Sequence, residues 1–506
     1  MGVSRQILGG EQIWRKKQKN LPCWDEMGAQ FDSAGNDDSR DGFCYCCLSS
    51  GQFPVSFKFP IKRVSQGRDF SDKCPSGIKV ALVMDWELSK FGENLCEGSG
   101  IGELMDDLGA ALAGGGDVKM LGGGQPAHIP EMDEVWRRRM EEILAEPGGM
   151  ERALGNYDVP AGNEAFRVAL ANLFKEEFGW EVTAENFAVT MGGQTAFFML
   201  FNALAGRFAD GRRKKILLPL LPEYIGYSDQ AVGEDFFEAI PARIEKTGPH
   251  EFKYHVDFDA VDPGDDIAAI CVSRPTNPSG NVLTDDEIEH LREIAREKGI
   301  PLIVDNAYGA PFPNVIFSEV KPVWDEGMIL TLSLSKIGLP GTRTGIVIAD
   351  KKICRALSSM TSIVGLANSN LGQEIMRPLV ESGEVLRLSR EVVRPFYEVR
   401  SQMAQRWFAK YLPDEIPYYI HRSEGALFLW LWFEGLPITS KELYQRLKGR
   451  GILVVPSEYF FFGLPEGTDW PHVRECIRVS YTMPEEVVEE GIRVIADEVR
   501  KAYEEA

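Results

Sequence analysis

The sequence predicts an α/β fold, with a large domain built on a mainly parallel central sheet and a smaller α+β domain. After Leu121–Gly124, amphipathic helices alternate with short apolar strands, which is the pattern of a parallel sheet with crossover helices. Polar residues or glycines follow each strand, at the edge where open α/β sheets bind their ligands. After about Arg394 the alternation gives way to a long amphipathic helix and a buried strand, which indicates the second domain.

The predicted strands of the large domain each lead into a polar or glycine-rich segment. They are Phe187–Thr190 before Gly192–Thr195, Ile216–Leu218 before Pro222–Tyr224, Ile267–Val272 before Arg274–Pro278, Leu302–Val304 before Asp305, and Met328–Leu332 before Ser333 and Lys336. In the second domain the pattern predicts a buried strand over 425–432, a helix from Ser440 to Arg450, and strands near 452–455 and 476–480.

These patterns divide the chain into three parts. We assign residues 130–385 to the large domain, and residues 84–129 together with 386–506 to the small domain. Residues 1–83 are rich in Gly, Ser and Cys and show no sustained periodicity, so we expect them to lie outside the catalytic fold. Three interpretations stay open for them: a disordered extension, a targeting segment, or upstream sequence wrongly joined at Met84. Their acidic residues are unusual for a targeting segment.

Composition limits the possible partners. The chain has 506 residues, of which 44% are hydrophobic and 26% charged, as in ordinary soluble proteins. Its formal net charge of -21 repels phosphate backbones and anionic lipid, so we expect neither nucleic acid nor a membrane as partner. No run of 18 apolar residues occurs and the first residues do not form a secretory signal, so a cytoplasmic location is expected.

The nine cysteines do not predict a metal site. The cluster Cys44–Cys47 lacks the paired C-x2-C spacing of structural zinc sites, and no histidine precedes His128. A partner-binding or metal-binding module in residues 1–83 is kept as an alternative. The isolated cysteines that follow are expected to be reduced and mostly buried.

Three stretches of the large domain carry the chemistry. Gly193, Gln194 and Thr195 open a predicted helix, whose free N–H groups and dipole suit an anion, although a Gly-Gly turn is by itself a weak signal. Asp305 ends an apolar strand, where a carboxylate is costly to bury unless it meets a cation such as a protonated pyridine nitrogen.

Lys336 lies in an unusually apolar setting for an ammonium group, between Met328–Leu332 and Ile337–Pro340. Desolvation there lowers the pKa of a lysine and favours the neutral, nucleophilic amine. Ser333, Ser335 and Arg343 place two hydroxyls and a permanent cation around it, which suits a phosphate dianion. The segment therefore predicts a lysine that holds pyridoxal phosphate as a Schiff base.

From Met84 to its end, the chain resembles the fold-type I pyridoxal-phosphate aminotransferases. The matching stretches are Leu121–Gly124, Asn156–Asp158, Pro222–Tyr227, Ser273–Pro278, Asp305–Gly309, Ser333–Gly345 and Glu424–Trp432. The resemblance implies a homodimer with shared active sites and pyridoxal 5'-phosphate as cofactor. It also implies transamination between L-valine and pyruvate, giving 3-methyl-2-oxobutanoate and L-alanine. Residues 1–83 have no counterpart in this resemblance.

The resemblance also implies roles for individual residues. Lys336 matches the lysine that binds the cofactor and shuttles the substrate proton, Asp305 the partner of the ring nitrogen, and Asn277 and Tyr308 the donors to the ring oxygen. The residues that match the phosphate site are Gly193, Gln194, Thr195, Ser333, Ser335 and Arg343. Tyr224 matches the aromatic residue that stacks on the ring.

Substrate contacts follow from the same resemblance. Arg478 lies within the apolar strand segment 476–481 and matches the arginine that binds the substrate α-carboxylate. Gly123 or Gly124 would offer a backbone donor to the same carboxylate, and Asn277 lies on the substrate side as well. Tyr157 matches a tyrosine that family members lend to the phosphate site of the neighbouring subunit.

Other functions stay open at this point. The same lysine, aspartate and arginine would serve another aminotransferase of aliphatic or aromatic amino acids, or a pyridoxal-phosphate C–S lyase. A transcription regulator that senses the cofactor is a remote alternative, because residues 1–83 show no helix-turn-helix and the chain is acidic.

Overall fold

The computed structural model describes residues 87–96 and 118–506, together with residues 100, 102, 106 and 109. Leu88–Ala506 form one compact unit. The predicted extension 1–83, with its cysteine cluster, lies outside the described residues. Among the described helices, none has the length and apolar character that a membrane span requires.

The strands, in chain order, define three sheets. They are β1 (Lys119–Met120), β2 (Phe187–Thr190), β3 (Gly206–Arg207), β4 (Arg213–Leu221), β5 (Phe237–Pro241), β6 (Arg243–Gly248), β7 (Glu251–His255), β8 (Ile267–Ser273), β9 (Leu302–Asp305), β10 (Met328–Ser333), β11 (Gly345–Ile348), β12 (Tyr418–His421), β13 (Phe428–Phe433), β14 (Ile452–Leu453), β15 (Val455–Pro456) and β16 (Cys476–Ser480). The segments predicted as strands in the large domain are all strands.

Helices cover both faces of this framework. They are α1 (Lys90–Cys96), α2 (Pro130–Ala145), α3 (Glu164–Phe178), α4 (Gly193–Leu204), α5 (Asp285–Lys298), α6 (Lys351–Val364), α7 (Leu371–Glu381), α8 (Glu384–Leu388), α9 (Arg394–Tyr411), α10 (Ser440–Gly449), α11 (His472–Glu475) and α12 (Glu485–Glu504). Their ends follow local chemistry: α5 begins at a capping box of Thr284 and Glu287 and stops at Gly299, which adopts a left-handed conformation.

The central sheet has the strand order β2-β11-β10-β9-β8-β4-β3, with β5 paired to β4. Strands β10, β9, β8, β4 and β5 run parallel to one another, whereas β11 is antiparallel to both of its neighbours. In this register Asp305 pairs with Ser273 on one side and with Thr331 on the other. The carboxyl ends of β8, β9 and β10 therefore bring their terminal polar side chains together. The predicted α/β architecture is confirmed.

The second large sheet has the order β15-β16-β13-β12-β7-β6. Its hairpin β6–β7 comes from within residues 130–385, yet β7 pairs in parallel with β12 of the C-terminal part. The predicted strand over 425–432 instead begins at Phe428, because Ala426 has a φ of 63° that interrupts an extended chain. The division into residues 130–385 on one side and 84–129 with 386–506 on the other stays a prediction.

A buried ion pair links the hairpin β6–β7 to residues near the predicted site. Lys253 Nζ in β7 lies 2.5 Å from Glu424 Oε2 and also donates to Asn281 Oδ1 at 3.0 Å. The same Glu424 oxygen accepts from the Val282 N–H at 3.0 Å. Because buried charges require such partners, the pair ties the second sheet to the loop that follows Asn277.

Candidate active site

A cavity of about 360 Å³ opens at the carboxyl ends of β8, β9 and β10. It is lined by every residue predicted for the site except Thr195 and Tyr157. Those that line it are Gly123, Gly124, Gly193, Gln194, Tyr224, Asn277, Asp305, Tyr308, Ser333, Ser335, Lys336, Arg343 and Arg478. Segments more than 350 residues apart in the chain, such as Gly123 and Arg478, thus meet around one space.

Lys336 follows the end of β10 and points into the cavity. Its Nζ donates to the Gly124 carbonyl at 2.7 Å and lies 5.1 Å from the centroid of the Tyr308 ring. Burial, followed by the nearby positive charge of Arg478, lowers the pKa of Lys336 to about 8, although Asp305 opposes the shift. The amine is therefore available in its neutral, nucleophilic form at moderately alkaline pH.

Asp305 ends β9 and receives several donors. Its carboxylate accepts from the Tyr227 hydroxyl at 2.6 Å, from the Ala307 N–H at 2.9 Å and from the Thr331 hydroxyl at 3.3 Å. Burial nevertheless raises the pKa of Asp305 above its usual range. A protonated ring nitrogen at this position would offset the burial of the charge, so the carboxylate fits the predicted cofactor.

The opposite end of the cavity is suited to an anion. Gly192, with a φ of 91°, precedes α4, and the first N–H groups of that helix face outward without intrahelical partners. The Arg343 guanidinium lies directly on Gly192, where a Cβ would come within 2.2 Å of Nη2. Arg343 Nη1 also lies 3.5 Å from Ser335 Oγ. These groups form a cationic cradle that would suit a phosphate.

Thr195 does not line the cavity, although it lies in the first turn of α4 beside Gly193 and Gln194. Its hydroxyl donates to the Met191 carbonyl at 3.2 Å, two residues before α4 begins. Gln194, by contrast, lines the cavity, and its amide group donates to the Gly226 carbonyl at 3.0 Å.

Arg478 is a buried cation in β16 of the second sheet. It donates to Asn277 Oδ1 at 2.6 Å and to the Gly122 carbonyl at 2.7 Å, and its guanidinium carbon lies 4.1 Å from the Phe428 ring centroid. Burial lowers its pKa to about 10. Its Nε has no hydrogen-bond partner among the described residues, so an arriving carboxylate would meet a guanidinium with unused capacity.

Tyr224 and Tyr308 line the cavity together with its charged side chains. The Tyr224 ring lies over Gly226, where a Cβ would come within 2.4 Å of Tyr224 Cε1, and it meets Tyr227 edge-to-face at 5.3 Å. Burial raises the pKa of Tyr224 to about 12 and also raises the pKa of Tyr308, so both keep their hydroxyl protons as hydrogen-bond donors.

Tyr157 lies away from the cavity, and its side chain is 83% exposed. Its segment is held by Asn370, whose amide donates to the carbonyls of Arg152 and Asn156, both at 3.1 Å. The predicted contribution of Tyr157 to a neighbouring subunit is neither supported nor opposed by contacts within one chain.

Sequence reasoning missed the residues behind Asp305. Tyr227 donates to Asp305, and Ser273 and Glu223 follow it in a buried hydrogen-bond chain. Glu223 had a recognisable signal, since it is a carboxylate two residues past an apolar strand, much as Asp305 ends one. Its partners lie on other strands, and only the fold brings them together.

The comparisons with known proteins agree with this geometry. The family model for class I and II aminotransferases matches residues 121–495. The chain is 47% identical to the valine–pyruvate aminotransferase of Escherichia coli, over 83% of this chain and 99% of that protein.

Solved structures give the same result. A putative amino-acid aminotransferase from Psychrobacter arcticum is 44% identical, with a TM-score of 0.81 over 83% of this chain and all of the other. The valine-pyruvate aminotransferase from Salmonella typhimurium is 45% identical, with a TM-score of 0.74 over 80% of this chain and 100% of that chain.

Covalent attachment of pyridoxal phosphate to the cofactor-free protein will depend on pH through Lys336. Because only the neutral amine attacks, we expect the attachment rate to rise about tenfold per pH unit below about 8 and to level off above it. Stopped-flow absorbance measures the rate. Borohydride reduction followed by peptide mass analysis locates the bond. Lys336→Ala is the control, and a borohydride-fixed cofactor at normal stoichiometry in that variant would contradict the assignment.

Gly192→Ala should weaken binding of pyridoxal phosphate, because the new Cβ displaces the Arg343 guanidinium and the φ of 91° disfavours any side chain. Loss of hydrogen bonds to a charged group predicts an affinity roughly 10- to 150-fold lower. Gly341→Ala is the matched control in the neighbouring turn, since a Cβ there meets no atom within 4 Å. Equilibrium dialysis of both variants decides, and equal affinities would rule out the cradle.

Proposed function

The chain belongs to the class I and II aminotransferases, and on this basis we propose that it transfers the amino group between L-valine and pyruvate. The products are 3-methyl-2-oxobutanoate and L-alanine. The reaction has two halves: an amino acid first leaves its amine on the enzyme, and an oxo acid then collects it. The identity to the E. coli valine–pyruvate enzyme supports this pair of substrates.

The residues of the cavity have defined tasks in this reaction. When bound, pyridoxal phosphate supplies a carbonyl group that accepts the amine and a protonated ring that spreads the negative charge left on the substrate Cα. Asp305 would hold the ring nitrogen protonated, and Asn277 and Tyr308 would orient the ring oxygen. Lys336 Nζ would take the proton from the substrate Cα as a general base, since burial lowers its pKa to about 8.

The cationic side chains of the cavity carry the argument for the substrate class. Among the described residues that line it, the cations are Lys336, Arg343 and Arg478. In this reaction Lys336 carries out the amine chemistry, Arg343 binds the phosphate, and Arg478 binds a single substrate carboxylate. The remaining side-chain lining includes the apolar residues Met120, Phe197, Ile225 and Met483. This arrangement favours a monocarboxylic substrate with an aliphatic side chain over a dicarboxylic one.

We also propose that the enzyme is a homodimer with shared sites. Exposed apolar side chains cluster on the segments 150–159 and 363–366, and we call this group the apolar rim. It consists of Met150, Leu154, Tyr157, Val159, Ile363, Val364 and Leu366. Its two segments are adjacent, because Asn368 and Asn370 donate to the carbonyls of residues 152, 156 and 160. Covering the rim would bring Tyr157 of one subunit toward its partner.

A cytoplasmic location completes the proposal. The cysteines of the described part of the chain, Cys96, Cys271, Cys354 and Cys476, are free thiols, and all but Cys96 are buried. Unpaired thiols suit a reducing compartment.

A matrix of amino donors against oxo-acid acceptors tests the proposed substrates. We expect L-valine with pyruvate, and L-alanine with 3-methyl-2-oxobutanoate, to exceed aspartate and glutamate in kcat/KM by more than the roughly 10- to 200-fold that separates close aliphatic analogues. Release of ammonia from an amino acid without any oxo-acid acceptor would instead indicate a lyase. Arg478→Lys is the control for carboxylate binding and should raise KM for every donor.

Ile363→Asp tests the dimer, because it places a charge in the centre of the apolar rim, where the native side chain is 85% exposed. We expect the variant to sediment as a monomer and to lose cofactor affinity, since Tyr157 no longer reaches the neighbouring site. Val399→Asp is the control, at an exposed position of α9 outside the rim. A monomeric, fully active unmodified enzyme would refute the proposal.

A further inference from the structure

A carboxyl group that the proposed reaction does not use lies buried behind the cavity. Glu223 is fully buried two residues past the end of β4. Its Oε1 accepts the Ser273 N–H at 2.8 Å, its Oε2 accepts the Tyr224 N–H at 3.1 Å, and the Ser273 hydroxyl oxygen lies 2.6 Å from Oε2. All of these partners are neutral.

This carboxyl group is joined to Asp305 by two hydroxyls. Ser273 Oγ lies 3.4 Å from the Tyr227 hydroxyl oxygen, and Tyr227 donates to Asp305 Oδ2 at 2.6 Å. Glu223 and Asp305 are thus the two ends of a buried chain that passes through one serine and one tyrosine. The chain reaches the carboxylate assigned to the ring nitrogen, on the side away from the cavity.

The number of available protons decides which group donates and which accepts in each hydrogen bond between Glu223 and Asp305. Tyr227 has a single hydroxyl proton, which it gives to Asp305, so its oxygen can only accept from Ser273. If Glu223 were ionised, Ser273 would give its own proton to Glu223, and two lone pairs would face each other between Ser273 and Tyr227. If Oε2 carries a proton, Glu223 donates to Ser273, Ser273 to Tyr227, and Tyr227 to Asp305. Only the protonated form satisfies every contact.

The surroundings of Glu223 favour the same form. The titratable groups that face it are Asp305, Cys271, Tyr224 and Tyr227, and none of them supplies a positive charge. Burial, together with the negative charge of Asp305, raises the pKa of Glu223 to about 8, despite the donors that favour the anion. A second carboxylate next to Asp305 is costly in this dry setting.

We propose that Glu223 is a positioning residue whose protonated carboxyl group directs the hydrogen bonds through Ser273 and Tyr227 toward the Asp305 carboxylate. A stronger donor keeps Asp305 ionised, so that the proton shared with the ring stays on the ring nitrogen rather than on Asp305. This inference deepens the proposed function and rests on it, because it assumes that Asp305 meets the ring nitrogen of the cofactor.

The first test examines the protonation of Glu223 without cofactor or substrate. Infrared spectra of the cofactor-free full-length protein near neutral pH should contain a carboxylic-acid C=O band that is absent in Glu223→Gln. Ser273→Ala removes a partner of the acid but not the acid itself, so its band should persist at a changed frequency. A Glu223→Gln difference spectrum with loss only in the carboxylate region would overturn the proposal, whatever the enzyme's substrates are.

The second test examines the connection to the ring. In protein loaded with pyridoxal phosphate labelled with ¹⁵N in the ring, Ser273→Ala and Glu223→Met should move the ring-nitrogen shift toward the unprotonated form. Glu223→Gln should stay closer to the native shift than Glu223→Met, because its amide donates to Ser273 in the same direction, although the NH2 group cannot accept the Tyr224 N–H. Turnover should fall roughly 2- to 10-fold in the first two variants and less than 2-fold in the third.

Controls separate this role from a loss of packing. Ser389→Ala alters another fully buried serine, whose hydroxyl has no hydrogen-bond partner among the described residues, and it should leave the ring-nitrogen shift unchanged. If Glu223→Met does not fold, Ser273→Ala carries the test, since it breaks the hydrogen-bond chain while Glu223 itself is not replaced. A native ring-nitrogen shift in Ser273→Ala, or equal effects of Glu223→Gln and Glu223→Met, would refute the positioning role.

Discussion

The site depends on the burial of the Asp305 carboxylate at the end of a central parallel strand. Such a charge is costly unless donors and a cation surround it, and the sheet register supplies one donor by placing Thr331 beside Asp305. Tyr227 adds the shortest of its side-chain hydrogen bonds, at 2.6 Å. The protonated ring nitrogen of the cofactor would supply the cation. The fold therefore arranges one buried anion that a protonated ring can neutralise.

Much of this arrangement could be predicted because the functional side chains violate local hydrophobic patterns. Asp305, Lys336 and Arg478 each interrupt or end an apolar segment, and a charge in such a place requires a partner. The strands that deliver them were recognisable for the same reason, since buried parallel strands are continuous apolar runs. For Asp305 and Lys336 these local patterns were sufficient, whereas the role of Arg478 was implied by the resemblance to the aminotransferases.

The features that escaped prediction depend on contacts between distant segments. The Thr195 hydroxyl donates to the carbonyl of Met191, just before α4, and the Gly122 carbonyl accepts from Arg478. Hairpin β6–β7 joins the second sheet although its sequence lies inside the large-domain segment. No periodicity encodes such a choice of partner, because the edges of both sheets offer equivalent backbone groups to an added strand.

The charges of the cavity also explain why the site and the cofactor form one unit. In the protein alone, burial lowers the pKa of Lys336 and raises that of Asp305, so both groups are shifted toward their neutral forms. A bound phosphate dianion offsets the positive charge of Arg343, and a protonated ring nitrogen offsets the negative charge of Asp305. Because the cofactor supplies compensating charges only to the folded cavity, its binding free energy adds to the stability of the fold. Burial of Lys336 and Asp305 without partners of opposite charge is costly. The same two residues therefore favour a ligand that supplies the compensating charges.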